Sequence, residues 1–214
     1  GEKVPEGKLP LDVGAVVLNC TTISSIARYC RTGLPLVKKC VTVDGSAVKN
    51  PMNVLVPIGM RMKDVFEATG GFKEEPKMVL YGGPMMGIAV PDLEQPILKN
   101  TNAILAFGEA EATPPEPTAC IKCGKCIAHC PLSLMPCEME TAYKKGNIER
   151  LMHLKVNLCM ECGCCSFICP AHRPLVQTNK LAKAQVMAYK NALKAKAEAE
   201  KAKLEAEKQK EAAK

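Results

Sequence analysis

Cys120-Ile-Lys-Cys123-Gly-Lys-Cys126-Ile-Ala-His-Cys130-Pro131 and Cys159-Met-Glu-Cys162-Gly-Cys-Cys165-Ser-Phe-Ile-Cys169-Pro170 carry one cysteine spacing twice. Each run is C-x2-C-x2-C-x3-C-P, the spacing of bacterial [4Fe–4S] ligation. Three cysteines at this spacing curl around one cube, corner by corner, and the fourth points away from it. In two-cluster ferredoxins that fourth cysteine ligates the other cube. The spacing therefore assigns Cys120, Cys123, Cys126 and Cys169 to a first cluster. Cys159, Cys162, Cys165 and Cys130 go to a second. Gly124 and Gly163 occupy equivalent places and free the backbone to wrap each cube, and Pro131 and Pro170 turn the chain out of each site. Zinc is the competing reading. Its sites commonly need two C-x2-C pairs, which would leave the third and fourth cysteines of each run idle. The pattern implies single-electron chemistry.

The interleaved charges differ. Lys122, Lys125 and His129 lie within the first run and Glu161 within the second. Positive charge favours the reduced, more negative cluster, so the first cluster is expected to have the higher potential. His129 and His172 are expected to be structural, because each cube already has four thiolates. Five cysteines remain: Cys20, Cys30, Cys40, Cys137 and Cys164. They are expected to be small buried apolar residues or free thiols. Cys164, between Gly163 and Cys165, is expected to pack near its cluster without binding it, and Cys137 to be the spare thiol near the module.

The chain has 214 residues, thirteen cysteines, no Trp and a formal charge of +7. From Lys180 to Lys214 there are ten Lys and five Glu, so most of the excess charge sits in the tail. Scarce aromatics and a nearly neutral remainder argue against nucleic-acid binding. Residues 1–10 are polar with no apolar signal-peptide core, which fits reduced thiols better than a disulfide scaffold. No apolar stretch approaches the ~20 residues that span a bilayer, so a soluble or peripheral chain is expected. The start at Gly1, without Met, reads as a piece of a longer polypeptide. No nucleophile elbow, HExxH, Walker loop or G-x-G-x-x-G is visible.

An α+β organisation is expected in five parts. Residues 1–36 read as the end of an α/β domain, with Gly14 to Leu18 as a buried strand and Asn19 to Thr32 as a helix stopped by Gly33 and Pro35. Residues 37–107 read as a small mixed sheet wrapped on one helix. Its strands are expected at Val37–Val43, Asn53–Val56, Lys77–Tyr81, Gly87–Val90 and Ala103–Phe107, its helix at Met62–Thr69, and Asp44-Gly45 as a hairpin turn. Tyr81-Gly-Gly-Pro-Met-Met-Gly87 is either a tight turn at the sheet edge or a loop whose backbone approaches a ligand or partner. Residues 108–118, with Pro114, Pro115 and Pro117, read as a linker. Residues 119–190 hold the cluster runs, with helices around Met135–Lys144 and Ile148–Lys155 and a third starting near Leu175 and running through Leu181, Ala184 and Met187. Residues 191–214 read as a charged tail, either a solvated helix or a basic arm for anionic lipid or an acidic partner.

The order of these segments resembles a known family. Asn19-Cys-Thr-Thr-Ile runs into Gly33-Leu-Pro-Leu and Val41-Thr-Val-Asp-Gly45; Gly82-Gly-Pro-Met-Met-Gly87, a proline linker and the twin runs follow. This is similar to the C subunit of the Rnf ion-translocating ferredoxin:NAD oxidoreductase complex, over about residues 10–190. The resemblance implies an upstream FMN- and NADH-binding domain like the flavin subunit of respiratory complex I. It further implies a β-grasp domain of the SLBB type and a helical two-cluster ferredoxin domain. It implies electron relay between NAD(H)/FMN and ferredoxin, coupled in the complex to Na+ or H+ translocation. Implied partners are ferredoxin and the other Rnf subunits, including an iron–sulfur subunit. Implied location is peripheral, on the cytoplasmic face of the bacterial inner membrane. Asn19 matches an asparagine that helps hold flavin in the related complex I flavin protein. A cobalamin reductase of the propanediol-utilisation type shares this architecture, and a β-grasp binding module with structural clusters is a third reading.

Overall fold

The computed structural model describes the backbone of residues 2–212 and the side chains of residues 2–199. It divides into two compact units, Gly1–Pro115 and Glu116–Lys214. The division falls within the proline-rich segment expected to be a linker. That segment opens with a short helix over Glu109–Ala112.

The first unit is built on a five-stranded mixed sheet of order β2-β1-β5-β3-β4. The strands are β1 (Lys38–Asp44), β2 (Met52–Pro57), β3 (Met78–Tyr81), β4 (Ile88–Ala89) and β5 (Ala103–Phe107). β1 runs parallel to β5, while the β1–β2, β3–β4 and β3–β5 pairs are antiparallel. Alternation along β1 puts Lys39, Val41 and Val43 on the buried face and leaves Cys40 outside, as the period-two geometry of a strand requires. The first two helices are α1 (Cys20–Thr32) and α2 (Met62–Ala68). α2 supplies Met62, Val65 and Phe66 to the core formed with Val41, Val43, Val56, Val79, Ile104 and Ala106. Each of these large side chains contributes about 2 kcal/mol by leaving water. α2 stops at Gly70 and Gly71, both at positive φ.

Two local expectations need correction. Residues 15–18 form no strand, and Val16 and Val17 are about three-quarters exposed. A strand needs a neighbour for its N–H and C=O groups, and none pairs with this stretch among the described residues. Accordingly α1 buries none of its side chains. Asp44-Gly45 is not a two-residue hairpin turn, since the β1–β2 register closes at Val43 and Met52. Gly45 is required for another reason. Its φ is +118°, and a Cβ there would lie 2.1 Å from the Ala106 carbonyl oxygen. The glycine-rich stretch of residues 82–87 does connect β3 to the edge strand β4, with Gly87 N–H donating to the Gly83 carbonyl at 2.7 Å.

The second unit is helical. α3 (Glu109–Ala112) ends the first unit; the second contains α4 (Lys125–Ala128), α5 (Pro136–Lys144), α6 (Ile148–His153), α7 (Cys164–Phe167) and α8 (Leu175–Ala212). Gly146, at φ +63°, separates α5 from α6, and the Asn147 side chain caps α6 by accepting from the Arg150 N–H at 2.8 Å. One core joins Leu134, Met139 and Ala142 to Leu151, Leu154, Val156, Ala182 and Val186. The buried stripe of α8 is therefore Leu175, Val176, Thr178, Asn179, Ala182 and Val186, while Leu181 and Met187 face solvent. The α8 backbone continues to Ala212, and the tail's expected contacts beyond residue 199 lie outside the described side chains. No described helix is long and apolar enough to cross a membrane.

Gly45→Ala should destabilise the first unit by about 3 kcal/mol, through overlap with β5 and left-handed strain. Gly59→Ala, with φ +95° but open space around it, should cost about 1 kcal/mol. Denaturant unfolding of the two variants checks the ranking, and equal losses would refute the close-approach explanation.

Candidate metal centres

The two cysteine runs fold as two copies of one local design. Lys122 (φ 56°) and Glu161 (φ 60°) adopt left-handed backbone at the same place in each run, followed by Gly124 (φ 74°) and Gly163 (φ 82°). Ser133 (φ 52°) and His172 (φ 49°) repeat the match beyond each Cys-Pro pair. A left-handed non-glycine residue costs roughly 1–2 kcal/mol. Its recurrence at matched positions marks a backbone path that the site requires.

Two cavities result. The first, about 360 Å³, is lined by Cys120, Cys123, Cys126 and Cys169. The second is nearly closed, about 20 Å³, and is lined by Cys130, Cys159, Cys162 and Cys165. Each cavity thus draws three thiols from one run and the last thiol of the other. The thiols are mounted on the walls. Among the described residues no three His, Cys, Asp or Glu side chains converge as a single ion needs. The donor chemistry, four thiols spread around one space, fits a group in which each of four irons takes one cysteine. In the second cavity the walls must part to admit it.

Specific bonds carry Cys169 to the first run. Thr118 N–H donates to the Ala171 carbonyl at 3.0 Å, and Arg173 donates back to the Thr118 carbonyl at 2.9 Å. The same guanidinium forms a two-pronged pair with buried Glu140 on α5, both contacts 2.7 Å. Lys144 adds a third contact to Glu140 at 2.9 Å. Burial alone would raise the Glu140 carboxyl, but the hydrogen bonds from Arg173 and Lys144 outweigh it and hold it below the usual carboxylate range. At the second cavity, Lys183 of α8 donates to the Cys159 carbonyl and pairs with Glu161, each at 3.0 Å. Leu134 N–H donates to the Cys130 sulfur at 3.3 Å. Ser166 Oγ accepts from the Val176 N–H at 2.9 Å, satisfying one free donor at the start of α8.

Burial pushes the Cys126 thiol up to about 11, with neighbouring Cys137 adding to the shift. Burial, with Cys159 nearby, does the same for Cys165, also to about 11. Both are protonated near neutral pH in the metal-free protein, and a metal must displace those protons on binding.

Other expected residues fall as follows. Cys137 lines the first cavity and Cys164 the second. Cys20, Cys30 and Cys40 are exposed rather than buried, because α1 has no packed face and Cys40 points outward from β1. His129 is exposed, its Nδ1 lying 3.0 Å from the Lys125 carbonyl. His172 is exposed and left-handed. Asn19 caps α1 by accepting from the Thr21 N–H at 2.9 Å and also lines a cavity of about 210 Å³ with Thr22, Lys39 and Asn102. Lys39, Glu140, Arg173 and Lys183 were not singled out from sequence. The buried Lys39 amine donates to the Lys99 carbonyl at 2.7 Å, and no local pattern marks such a long-range bond. The charge contrast between the runs is also smaller than their residues imply, since Lys183 offsets Glu161.

A family model described as the SLBB domain matches residues 40–89, which run from β1 to β4. The C subunit of the Na(+)-translocating ferredoxin:NAD(+) oxidoreductase complex of Acetobacterium woodii is 39% identical over 188 residues, 88% of this chain and 42% of that protein. The C subunit of the proton-translocating ferredoxin:NAD(+) oxidoreductase complex of Clostridium ljungdahlii is 43% identical over 136 residues, 64% of this chain and 30% of that one. The C subunit of an ion-translocating oxidoreductase complex of Methanosarcina acetivorans is 40% identical over 191 residues, 89% of this chain and 42% of its own length. Over most of its length the chain is similar to the C subunits of these ion-translocating complexes. It spans 30% to 42% of the length of these three relatives.

Glu140 provides a pH test of the second unit. Its folded carboxyl is held below the unfolded value, so its contribution is fully present above the unfolded value, about 4.5. It is lost as pH falls from there through the depressed folded value. Glu140→Gln should cost about 3 kcal/mol near neutral pH and should flatten the acid limb of the stability profile. Denaturant unfolding by circular dichroism from about pH 6 to about pH 3.5 checks this, and a parallel acid limb in the variant would contradict it.

Proposed function

We propose that the second unit is a two-cluster electron-transfer module of an ion-translocating ferredoxin:NAD oxidoreductase. Cys120, Cys123, Cys126 and Cys169 would hold one [4Fe–4S] cluster, and Cys159, Cys162, Cys165 and Cys130 the other. The observation that carries this reading is the pair of cavities, each lined by three thiols of one run and the fourth of the other. When bound, each cluster takes up and gives back one electron. The chain's own residues hold and tune the sites. Arg173 and Glu140 keep Cys169 against the first run, and the Leu134 N–H donates to the Cys130 sulfur, a contact of the kind that sets cluster potential.

The mixed-sheet unit carries no redox donor set in this reading. FMN and NADH are assigned to parts of the full-length protein outside this chain. Asn19, at the start of α1, is a candidate contact for the flavin. Ferredoxin, NAD(H) and the other subunits of the complex, among them an iron–sulfur subunit, are the proposed partners. Coupling to Na+ or H+ movement belongs to the whole complex. Attachment is proposed to be peripheral, on the cytoplasmic face of the bacterial inner membrane.

Anaerobic reconstitution of the chain should yield about eight irons and about eight sulfides, two cubes by the ligand count. Cys123→Ala should remove about half of each. Tightly bound zinc, without charge-transfer absorption, would sink the assignment. Redox titration should show the higher potential for the cluster lost in Cys123→Ala, and the reverse order would contradict the electrostatic reading of Lys122 and Lys125.

A further inference from the structure

The first cavity has five thiols on its walls, one more than a cube needs. The fifth is Cys137, in the first turn of α5. It is not remote from the ligand set, because it lines the same cavity as Cys126 and, with Cys169, packs against the buried cluster of Cys126, Cys165, Leu175 and Val176. The internal repeat gives this position a meaning. Cys137 follows the first residue of α5, and its counterpart Val176 follows the first residue of α8. Val176 lines the second cavity. The second residue of the helix after each Cys-Pro turn is therefore a wall position in both sites. The chain places a thiol at one and an apolar side chain at the other. The second cavity's extra cysteine, Cys164, is differently placed. It adjoins Cys165 in sequence, and its counterpart in the first run, Lys125, is absent from the walls of the first cavity.

We propose that Cys137 is a reserve ligand of the first cluster, able to take the place of Cys126. The inference rests on the reading of Cys120, Cys123, Cys126 and Cys169 as one ligand set. When Cys126 is lost, the Cys137 thiol gives its proton to solvent and its sulfur bonds the iron left without a protein ligand. One iron–thiolate bond replaces another and no electron changes hands. At the matching wall position of the second site valine offers no donor, and that cavity's fifth thiol, Cys164, stands elsewhere in the repeat.

The test uses the whole chain, reconstituted anaerobically, with iron and sulfide counted and the reduced protein examined by electron paramagnetic resonance. Alanine is the replacement, because a serine oxygen can itself bind iron. Cys126→Ala should keep close to the full iron content and both cluster signals, whereas Cys126→Ala with Cys137→Ala should fall to about half. If Cys126→Ala alone falls as far as the double variant, the reserve role is overturned. A second comparison holds even if the double variant does not fold. In a Cys164→Ala background, Cys165→Ala should lose the second cluster, and Cys165→Ala with Val176→Cys should regain it. Failure to regain it would overturn the equivalence of the two wall positions. An unsubstituted chain that takes up no iron would instead overturn the two-cluster reading itself, so the two failures are distinguishable.

Discussion

The second unit depends on one constraint: the last cysteine of each run must reach the other run's cavity. A four-residue reach within one run cannot close a four-thiol set, so the two halves must be held in register. The pair between Arg173 and Glu140 meets that need for the first cavity. It couples the turn after Cys169 to α5, and the same guanidinium fixes the backbone just before Cys120. A buried ion pair is weak evidence for stability, because desolvation offsets most of its attraction. Its geometric demand is strict, however, since a planar fork must meet a carboxylate in one orientation. Register, more than net stabilisation, is what such a pair supplies here.

The repeat gives the two sites a common backbone and different surroundings. Left-handed residues and glycines recur at matched positions, so the two runs take the same path. The side chains then diverge. The first cavity is roomier and carries Lys122 and Cys137 on its walls, while the second is tight, with Met160 and Val176. Lys183 reaches in from α8 to offset Glu161, a correction that no inspection of the runs alone supplies. Duplicated backbone with divergent walls is a physical route to two centres of unequal potential.

Much of the first unit was legible residue by residue. The strands expected at Val37–Val43 and Ala103–Phe107 and the helix expected at Met62–Thr69 were readable from local pattern, and they stand at Lys38–Asp44, Ala103–Phe107 and Met62–Ala68. Two local readings misled. Gly14 to Leu18 has strand-like composition, yet composition cannot provide the neighbouring strand that a β-strand needs. Asp44-Gly45 looks like a tight hairpin, yet Gly45 answers to the Ala106 carbonyl, far away in sequence. In both cases a long-range partner, or its absence, outweighed the local signal.

By itself the sequence determined the cysteine spacing, the glycines that let each run wrap, and the positions of most strands, because these depend on neighbours a few residues apart. It also displayed Cys137 as a spare thiol. Only the tertiary structure decided that Cys137 stands against Cys126, that Val176 is its counterpart, and that Arg173, Glu140 and Lys183 hold the halves together. Those relations span gaps that the chain closes only by folding, and packing between helices, not local propensity, sets which side chains meet.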